Sequence, residues 1–315
     1  MKFRKIITFN IKDFELDAEY WKRIDSLTEK RVNILTNRSE LKKVIFDADC
    51  LLIGFSVQAD KEIIDSSPQL KYIGKLGTAY GNIDTNYAAS KRIVVTNIPG
   101  YSTESVAEFV FAIILDHVRE IERGKQQARV GNYSESGFSA TEIKDKNFGI
   151  IGLGKIGNRV GEIAHGFDAN VLYWSRNRKK ELETKGIKYD DVEVIISKSD
   201  FLSLHLALNK DTENFLNEER IMKIKKGAVV INTSPMELVD INALEKRLAK
   251  GDITFILDHS DEMTEENLKK LSKYENCIIY PPIAYVSKEA RIEKQEIFVN
   301  NIENFLKGNT INKVN

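Results

Sequence analysis

The sequence predicts an α/β protein of two domains, on three observations. At 315 residues the chain is about twice the common ~100–150-residue domain, so two buried cores are expected. Short β-branched or apolar runs alternate with stretches of helical periodicity, the pattern of parallel βα units. A glycine turn, Gly152-Leu-Gly154-Lys-Ile-Gly157, stands between a strand-like run and a helix-like one, the setting of a dinucleotide-binding unit.

Residues 5–9, 51–55, 70–75 and 93–96 read as strands, with residues 41–46 and 86–90 in helical stretches. The series stops at Asn97-Ile-Pro-Gly100, where Pro99 and Gly100 punctuate the chain, and a domain boundary is placed there. In the next segment Ser102, Thr103 and Ser105 offer caps, with Glu108 three residues after Ser105. Val106, Val110, Ile113, Ile114 and Ile121 then recur at helical spacing, which predicts a helix of about six turns. His117 lies on that apolar stripe and reads as a packed or interface histidine rather than a catalytic one.

Asn147–Ile151 reads as a strand, residues 152–157 as its turn, residues 158–167 as a helix and Asn170–Trp174 as the next strand. Gly152 allows the tight turn, Gly154 lets backbone approach a pyrophosphate, and Gly157 permits close packing of helix on strand. Free amides at the helix start face the anion. A carboxylate at the end of the second strand would accept a ribose 2′-hydroxyl. This chain has Ser175 there, followed by Arg176, Asn177, Arg178, Lys179 and Lys180. A hydroxyl and guanidiniums suit a 2′-phosphate that a carboxylate would repel, so NADP(H) is favoured over NAD(H).

Equal numbers of basic and acidic residues, 47 each, give zero formal charge and no electrostatic reason to expect nucleic acid or an anionic membrane as partner. A small neutral or anionic ligand fits better. Cys50 and Cys277 are the two cysteines, far apart in sequence, so neither a disulfide framework nor a metal site is expected, and the usage suits a cytoplasmic protein. The N-terminal residues lack a sustained apolar run, and the longest apolar stretch, residues 109–115, falls far short of the ~18 residues of a membrane span.

Residues 152–157, Tyr173-Trp-Ser-Arg-Asn-Arg-Lys179, Asn97-Ile-Pro-Gly-Tyr-Ser-Thr-Glu-Ser-Val-Ala-Glu108, Ser203-Leu-His-Leu206 and Ile231-Asn-Thr-Ser234 together resemble the D-isomer-specific 2-hydroxyacid dehydrogenases. The Ser-Arg-x-Arg element is similar to their NADP-using glyoxylate/hydroxypyruvate reductase branch. The likeness runs from the first strand to Asn301-Ile-Glu-Asn-Phe-Leu-Lys-Gly308, essentially the whole chain.

The resemblance implies a homodimer of two Rossmann-like lobes, each a doubly wound parallel sheet, with a cleft between them. Residues 1–98 plus 287–315 would form a flavodoxin-like substrate lobe, and residues 99–286 the dinucleotide-binding lobe. Beyond Gly152, Gly154 and Gly157, the implied cofactor contacts are Thr78, Lys155, Ile156, Ser175, Arg176, Arg178, Leu206, Ala207, Thr233, Ser234 and Asp258. In the family that aspartate orients the nicotinamide amide. His205 matches a loop beside the cofactor and is assigned structure rather than chemistry.

At the chemistry the sequence departs from the family pattern. Members reduce 2-keto acids with an arginine that grips the carboxylate, a histidine that supplies the proton and a glutamate that holds the histidine. The arginine pattern N-T-S-R-G-x-L-V-D reads here Asn232-Thr-Ser-Pro-Met-Glu-Leu-Val-Asp240, with Pro235 at the arginine and Met236 at the glycine. Proline has neither charge nor backbone donor. The histidine pattern T-P-H-I-A reads Tyr280-Pro-Pro-Ile-Ala284, leaving Pro282 with nothing to titrate. The glutamate position is Met263, unless a missing residue between Gly251 and Leu257 moves Glu262 into the role.

Three functions remain open on the sequence: an NADP(H)-dependent reductase of an atypical substrate (an imine, an activated alkene or a carbonyl lacking the 2-carboxylate), an NADP(H)-binding pseudoenzyme with a regulatory or interaction role, and a glyoxylate/hydroxypyruvate-type reductase with displaced catalytic groups. The first is favoured. Its candidate proton donors are His259, Glu262 and Tyr280, each with a bland alternative as a packed or solvated side chain.

Overall fold

A computed structural model of the chain describes residues 2–35, 37–55, 57–183 and 186–315, with the backbone alone for Glu262. The chain divides into two compact units, one of Met1–Ser102 with Ser287–Asn315 and one of Thr103–Val286.

The first unit is built on a parallel sheet of β1 (Phe3–Phe9), β2 (Thr28–Ile34), β3 (Cys50–Ile53), β4 (Tyr72–Lys75) and β5 (Val94–Thr96), in the order β2-β1-β3-β4-β5. This is the flavodoxin-like order. Alternate residues enter different cores, as the two-residue strand period requires: Ile6, Leu52 and Tyr72 face one cluster, and Ile7, Leu51 and Ile73 the other. Helix Lys288–Leu306 covers the first face with Phe298, Val299 and Ile302. Val314 reaches β5 through a backbone bond to Val95.

The four strands read in this half are present with shifted ends; β1 begins at Phe3, and β3 stops at Ile53. Strand β2 escaped the sequence reading. It lies at the sheet edge, where Glu29 and Lys30 are exposed and Val32 and Ile34 half-buried, so it lacks the apolar density of a central strand.

The second unit carries β6 (Asn147–Ile151), β7 (Asn170–Trp174), β8 (Lys188–Tyr189), β9 (Phe201–Leu204), β10 (Val229–Asn232), β11 (Thr254–Leu257) and β12 (Cys277–Ile279). They form a parallel sheet in the order β12-β11-β10-β9-β6-β7-β8. The direction of winding reverses between β6 and β9, the switch point at which doubly wound sheets bind ligands. Both sheets are thus Rossmann-like. On one face Phe148 stacks with Phe111 and Phe201 at centroid distances of 5.5 and 5.9 Å, inside the cluster that also buries Ile150, Ile231 and Ile256. The opposite face buries Ile151, Leu204, Val230 and Leu257.

The expected six-turn helix is two helices, Thr103–Val118 and Ile121–Arg129. Glu120 between them adopts the left-handed conformation, φ 50°, and the Asp116 carboxylate accepts the Glu122 amide at 3.1 Å, capping the second helix. Val106, Val110, Ile113 and Ile114 are buried as their spacing predicts, whereas Ile121 is exposed and off the stripe. The helix after β6 starts at Lys155, earlier than expected, so Lys155, Ile156 and Gly157 are helical. Among the described residues no helix is long and apolar enough to cross a membrane.

Candidate nucleotide and reduction site

The turn after β6 is defined by three glycines in three different situations. Gly152 has φ +99°, and a Cβ there would lie 2.5 Å from the His205 carbonyl oxygen, so only glycine fits. Its amide donates to Trp174 O at 2.8 Å, while the His205 amide donates to Ile151 O at 2.8 Å, tying the turn to the ends of β7 and β9. A Cβ on Gly157 would collide with the Gly152 carbonyl oxygen, so this glycine sets how closely helix and strand approach. Gly154 differs from both, because nothing lies within 4 Å of where its Cβ would be. It is the N-cap of helix Lys155–Gly166, with no side chain capping it. The helix therefore presents first-turn amides and the positive end of its dipole to open space, as an anion requires.

After β7, Ser175 donates to Asn177 O at 2.6 Å. The two arginines that follow are engaged differently. Arg176 is 69% exposed with a loose ion pair to Asp211 at 3.5 Å. Arg178 makes two 2.7 Å hydrogen bonds to the Glu183 carboxylate and lies 5.2 Å from the Tyr189 ring centroid. The Tyr173 hydroxyl donates to Glu183 at 3.1 Å and accepts the Lys179 amide at 2.7 Å, so Arg178 and Glu183 belong to the scaffold of this loop.

The loops after β9, β10 and β11 meet along the same carboxyl edge. Ser234 donates its hydroxyl to Leu204 O at 3.0 Å and its amide to Asn232 Oδ1 at 3.1 Å. Leu206 approaches the Gly152 turn, and the Ala207 carbonyl accepts the Thr212 hydroxyl at 2.7 Å. Asp258 is 2% exposed. Its Oδ2 accepts the Ala284 amide at 3.0 Å, while Oδ1 and the Thr233 hydroxyl oxygen are buried with no hydrogen-bond partner. Burial pushes the Asp258 pKa up. A buried acceptor in want of a donor is costly, and the amide N–H groups of a nicotinamide would supply one. Open helix N-terminus and orphaned acceptors together fit a nicotinamide dinucleotide.

Burial holds the His205 imidazole neutral, its pKa down to about 3, beside the Ser203 hydroxyl at 2.8 Å. Its backbone, rather than its ring, shapes the site. Thr78 belongs to the other unit, in the loop after β4, where its hydroxyl donates to Ile98 O at 3.0 Å. His117 is remote from the glycine turn: with Glu120, Ser139, Thr141, Lys146 and Asp200 it lines a cavity of about 330 Å³ at the amino ends of the strands.

Pro235 opens a single 3-10 turn, Met236–Leu238. Met236 points away from solvent, 4% exposed, with its sulfur 3.1 Å from Asn232 Nδ2; Met263 packs against the same core. Pro282 stands half-buried in the loop after β12. Of the candidate donors, His259 Nε2 lies 3.2 Å from Thr233 O and 3.9 Å from Asp258 Oδ1, which puts its ring beside the orphaned acceptors. Tyr280 turns into the core edge-on to Phe109, centroids 5.7 Å apart, and burial raises its pKa. The Glu262 side chain lies outside the described residues. A charged residue that the sequence reading passed over is Lys75, the last residue of β4, buried at 2% exposure.

Residues 111–284 match the family model of the D-isomer specific 2-hydroxyacid dehydrogenase NAD-binding domain. A glyoxylate reductase of Thermococcus litoralis is 35% identical over 88% of this chain and 87% of its own length. A hydroxypyruvate reductase of Blautia hydrogenotrophica is 32% identical over 94% of each. Among solved structures, an acyclic imino acid reductase in complex with NADPH and D-Arg superposes with a TM-score of 0.87 at 30% identity, covering 98% of this chain and 100% of that one. D-lactate dehydrogenase from Aquifex aeolicus, complexed with NAD and lactic acid, gives 0.85 at 28% identity over 96% of each. The fold and the glycine turn define a nicotinamide-dependent oxidoreductase. The chain belongs to the D-isomer-specific 2-hydroxyacid dehydrogenase family.

Proposed function

We propose that this protein is an NADP(H)-dependent reductase that acts on the imine of a 2-keto acid. The observation that carries the reading is the contrast at the carboxyl edge of the second unit: the glycine turn and Asp258 of the family pattern are present, whereas Pro235, Met263 and Pro282 stand where the resemblance expects arginine, glutamate and histidine. When bound, reduced nicotinamide supplies a hydride. A carbonyl that accepts it becomes an alkoxide and needs a proton from the protein, a contribution of ~10²–10⁴-fold. A protonated imine already carries its proton, and its reduction yields an amine with no donor required. Loss of the histidine therefore penalises keto-acid reduction far more than imine reduction.

The likeness to an imino acid reductase bound to NADPH supports both the substrate class and the cofactor. In this reading Gly154 and the amides after it hold the pyrophosphate, Ser175 and Arg176 the 2′-phosphate, and Asp258 with Thr233 the carboxamide. The unit Thr103–Val286 is the cofactor unit, and the other recognises substrate. Met236 is buried in the core and Met263 packs against the same core, which favours an open site over a plugged, purely structural one.

The glyoxylate and hydroxypyruvate reductases among the relatives favour keto-acid reduction as the competing function. Steady-state NADPH oxidation with a 2-keto acid, with and without added methylamine, separates the two. Amine-dependent turnover is expected; equal rates without amine would replace the proposal by keto-acid reduction, and no oxidation in either case, despite tight NADPH binding, would leave a cofactor-binding module.

A further inference from the structure

A 2-imino acid carries a carboxylate, and Pro235 removes the guanidinium that family members direct at it. The first unit contains a cation in an unusual state. Lys75 ends β4 opposite Ile53, the last residue of β3. Its ammonium donates to Gly54 O at 2.7 Å and to Phe55 O at 2.5 Å, and lies 5.7 Å from the Phe55 ring centroid. An ammonium has three N–H donors; the third has no acceptor among the described residues, and no carboxylate there lies within ion-pair distance. Among the described residues its surroundings include the Gly54 and Phe55 carbonyls at the end of β3, the Phe55 ring, and Gly77 in the loop after β4, where a Cβ would lie 3.4 Å from Lys75 Cε. Asn82 adds only an amide hydrogen bond to Phe55 O at 3.2 Å.

A buried ammonium without a counter-ion carries a desolvation penalty of several kcal/mol, and packing against apolar atoms would be the cheaper way to fill this space. Burial alone lowers its pKa, to about 8, with no opposing charge to raise it. An uncompensated cation at the carboxyl ends of parallel strands, where α/β sheets bind ligands, is completed by an anion, and in a low-dielectric setting that attraction is strong.

We propose that Lys75 is an anion-binding cation of the first unit, completed by the carboxylate of a small carboxylic acid. The identity of the anion as an imino acid's carboxylate rests on the function proposed above; the need of Lys75 for an anion does not.

The test uses the full-length protein saturated with NADP⁺ and oxalate as an unreactive dicarboxylate probe, titrated by calorimetry. In Lys75→Met the oxalate Kd should rise about tenfold or more while the Kd for NADPH stays unchanged. A lysine that merely pinned the Gly54–Phe55 backbone would leave oxalate binding intact, and that result overturns the proposal. Should the methionine variant fail to fold, the wild-type protein still decides. Oxalate remains a dianion from about pH 7 to about pH 9.5, whereas Lys75 loses its proton near 8, so affinity must be full at the lower pH and fall at the higher; a flat profile overturns the proposal as well. The two readings separate cleanly. Lys75-dependent oxalate binding without turnover of any imine retains Lys75 and removes the reductase, whereas imine turnover with KM unchanged in Lys75→Met does the reverse.

Discussion

Two stretches of the same carboxyl edge met different fates. In the turn after β6, two glycines are required by a measurable neighbour, the His205 carbonyl above Gly152 and the Gly152 carbonyl against Gly157, while Gly154 faces open space. In the loops after β10 and β12, Pro235 and Pro282 stand where the family resemblance expects charge and a proton. Holding a nucleotide is a matter of backbone geometry, which side chains at these glycines would disturb. Proton supply is a matter of single side chains, which become dispensable once the substrate brings its own proton. On the function proposed above, the scaffold serves delivery of a hydride without the acid.

The largest effect belongs to the glycines. Gly157→Val places a side chain against backbone that cannot yield, so the second unit should lose about 3 kcal/mol or more, read as a lowered unfolding midpoint with no NADPH binding. Gly154→Val has room, and should cost no more than about 1 kcal/mol as a poorer N-cap while losing about a hundredfold in NADPH affinity, some 2.7 kcal/mol. Equal midpoint losses in both would break the distinction between packing and ligand glycines.

The second stretch is probed by restoring what is missing. Pro235→Arg with Pro282→His should raise glyoxylate reduction by about a hundredfold over wild type, in a coupled NADPH assay. No gain would mean that these two positions do not face the reacting atoms.

Within the cofactor loop the two arginines should separate. Arg176→Ala, removing an exposed guanidinium held only by a loose pair to Asp211, should weaken NADPH about tenfold or more and leave NADH within about twofold, by fluorescence titration. Equal losses would remove the 2′-phosphate assignment. The smallest effect is expected for Arg178→Ala. Its guanidinium already pairs with Glu183, and an exposed pair of this kind is worth about 1 kcal/mol or less. Both cofactors should weaken by less than about fivefold, alike, in the same titration.

The strand–turn–helix unit around the glycines is legible in the sequence because glycine spacing and a β-branched run are local signals: β6 and β7 lie at the expected residues, and the helix between them differs in its start. The break at Glu120 was not legible, since it depends on Asp116 reaching the Glu122 amide while apolar periodicity runs on past it. Strand β2 was hidden by its edge position. The state of Lys75 could not be read at all. A lysine closing Tyr72-Ile-Gly-Lys75 looks like any surface charge until the carbonyls after β3 enclose it. Likewise Arg176 and Arg178 are indistinguishable in a basic run until Glu183 takes one of them.

The most direct test of the account follows the hydride itself. The protein is incubated with NADPH deuterated at C4, a 2-keto acid and methylamine, and the products are separated and weighed by mass spectrometry. Deuterium is expected at C2 of the N-methyl amino acid, with little in the hydroxy acid. Deuterium confined to the hydroxy acid would contradict that expectation, and would mean that this chain finds the proton for a carbonyl from a residue other than those at positions 235, 263 and 282.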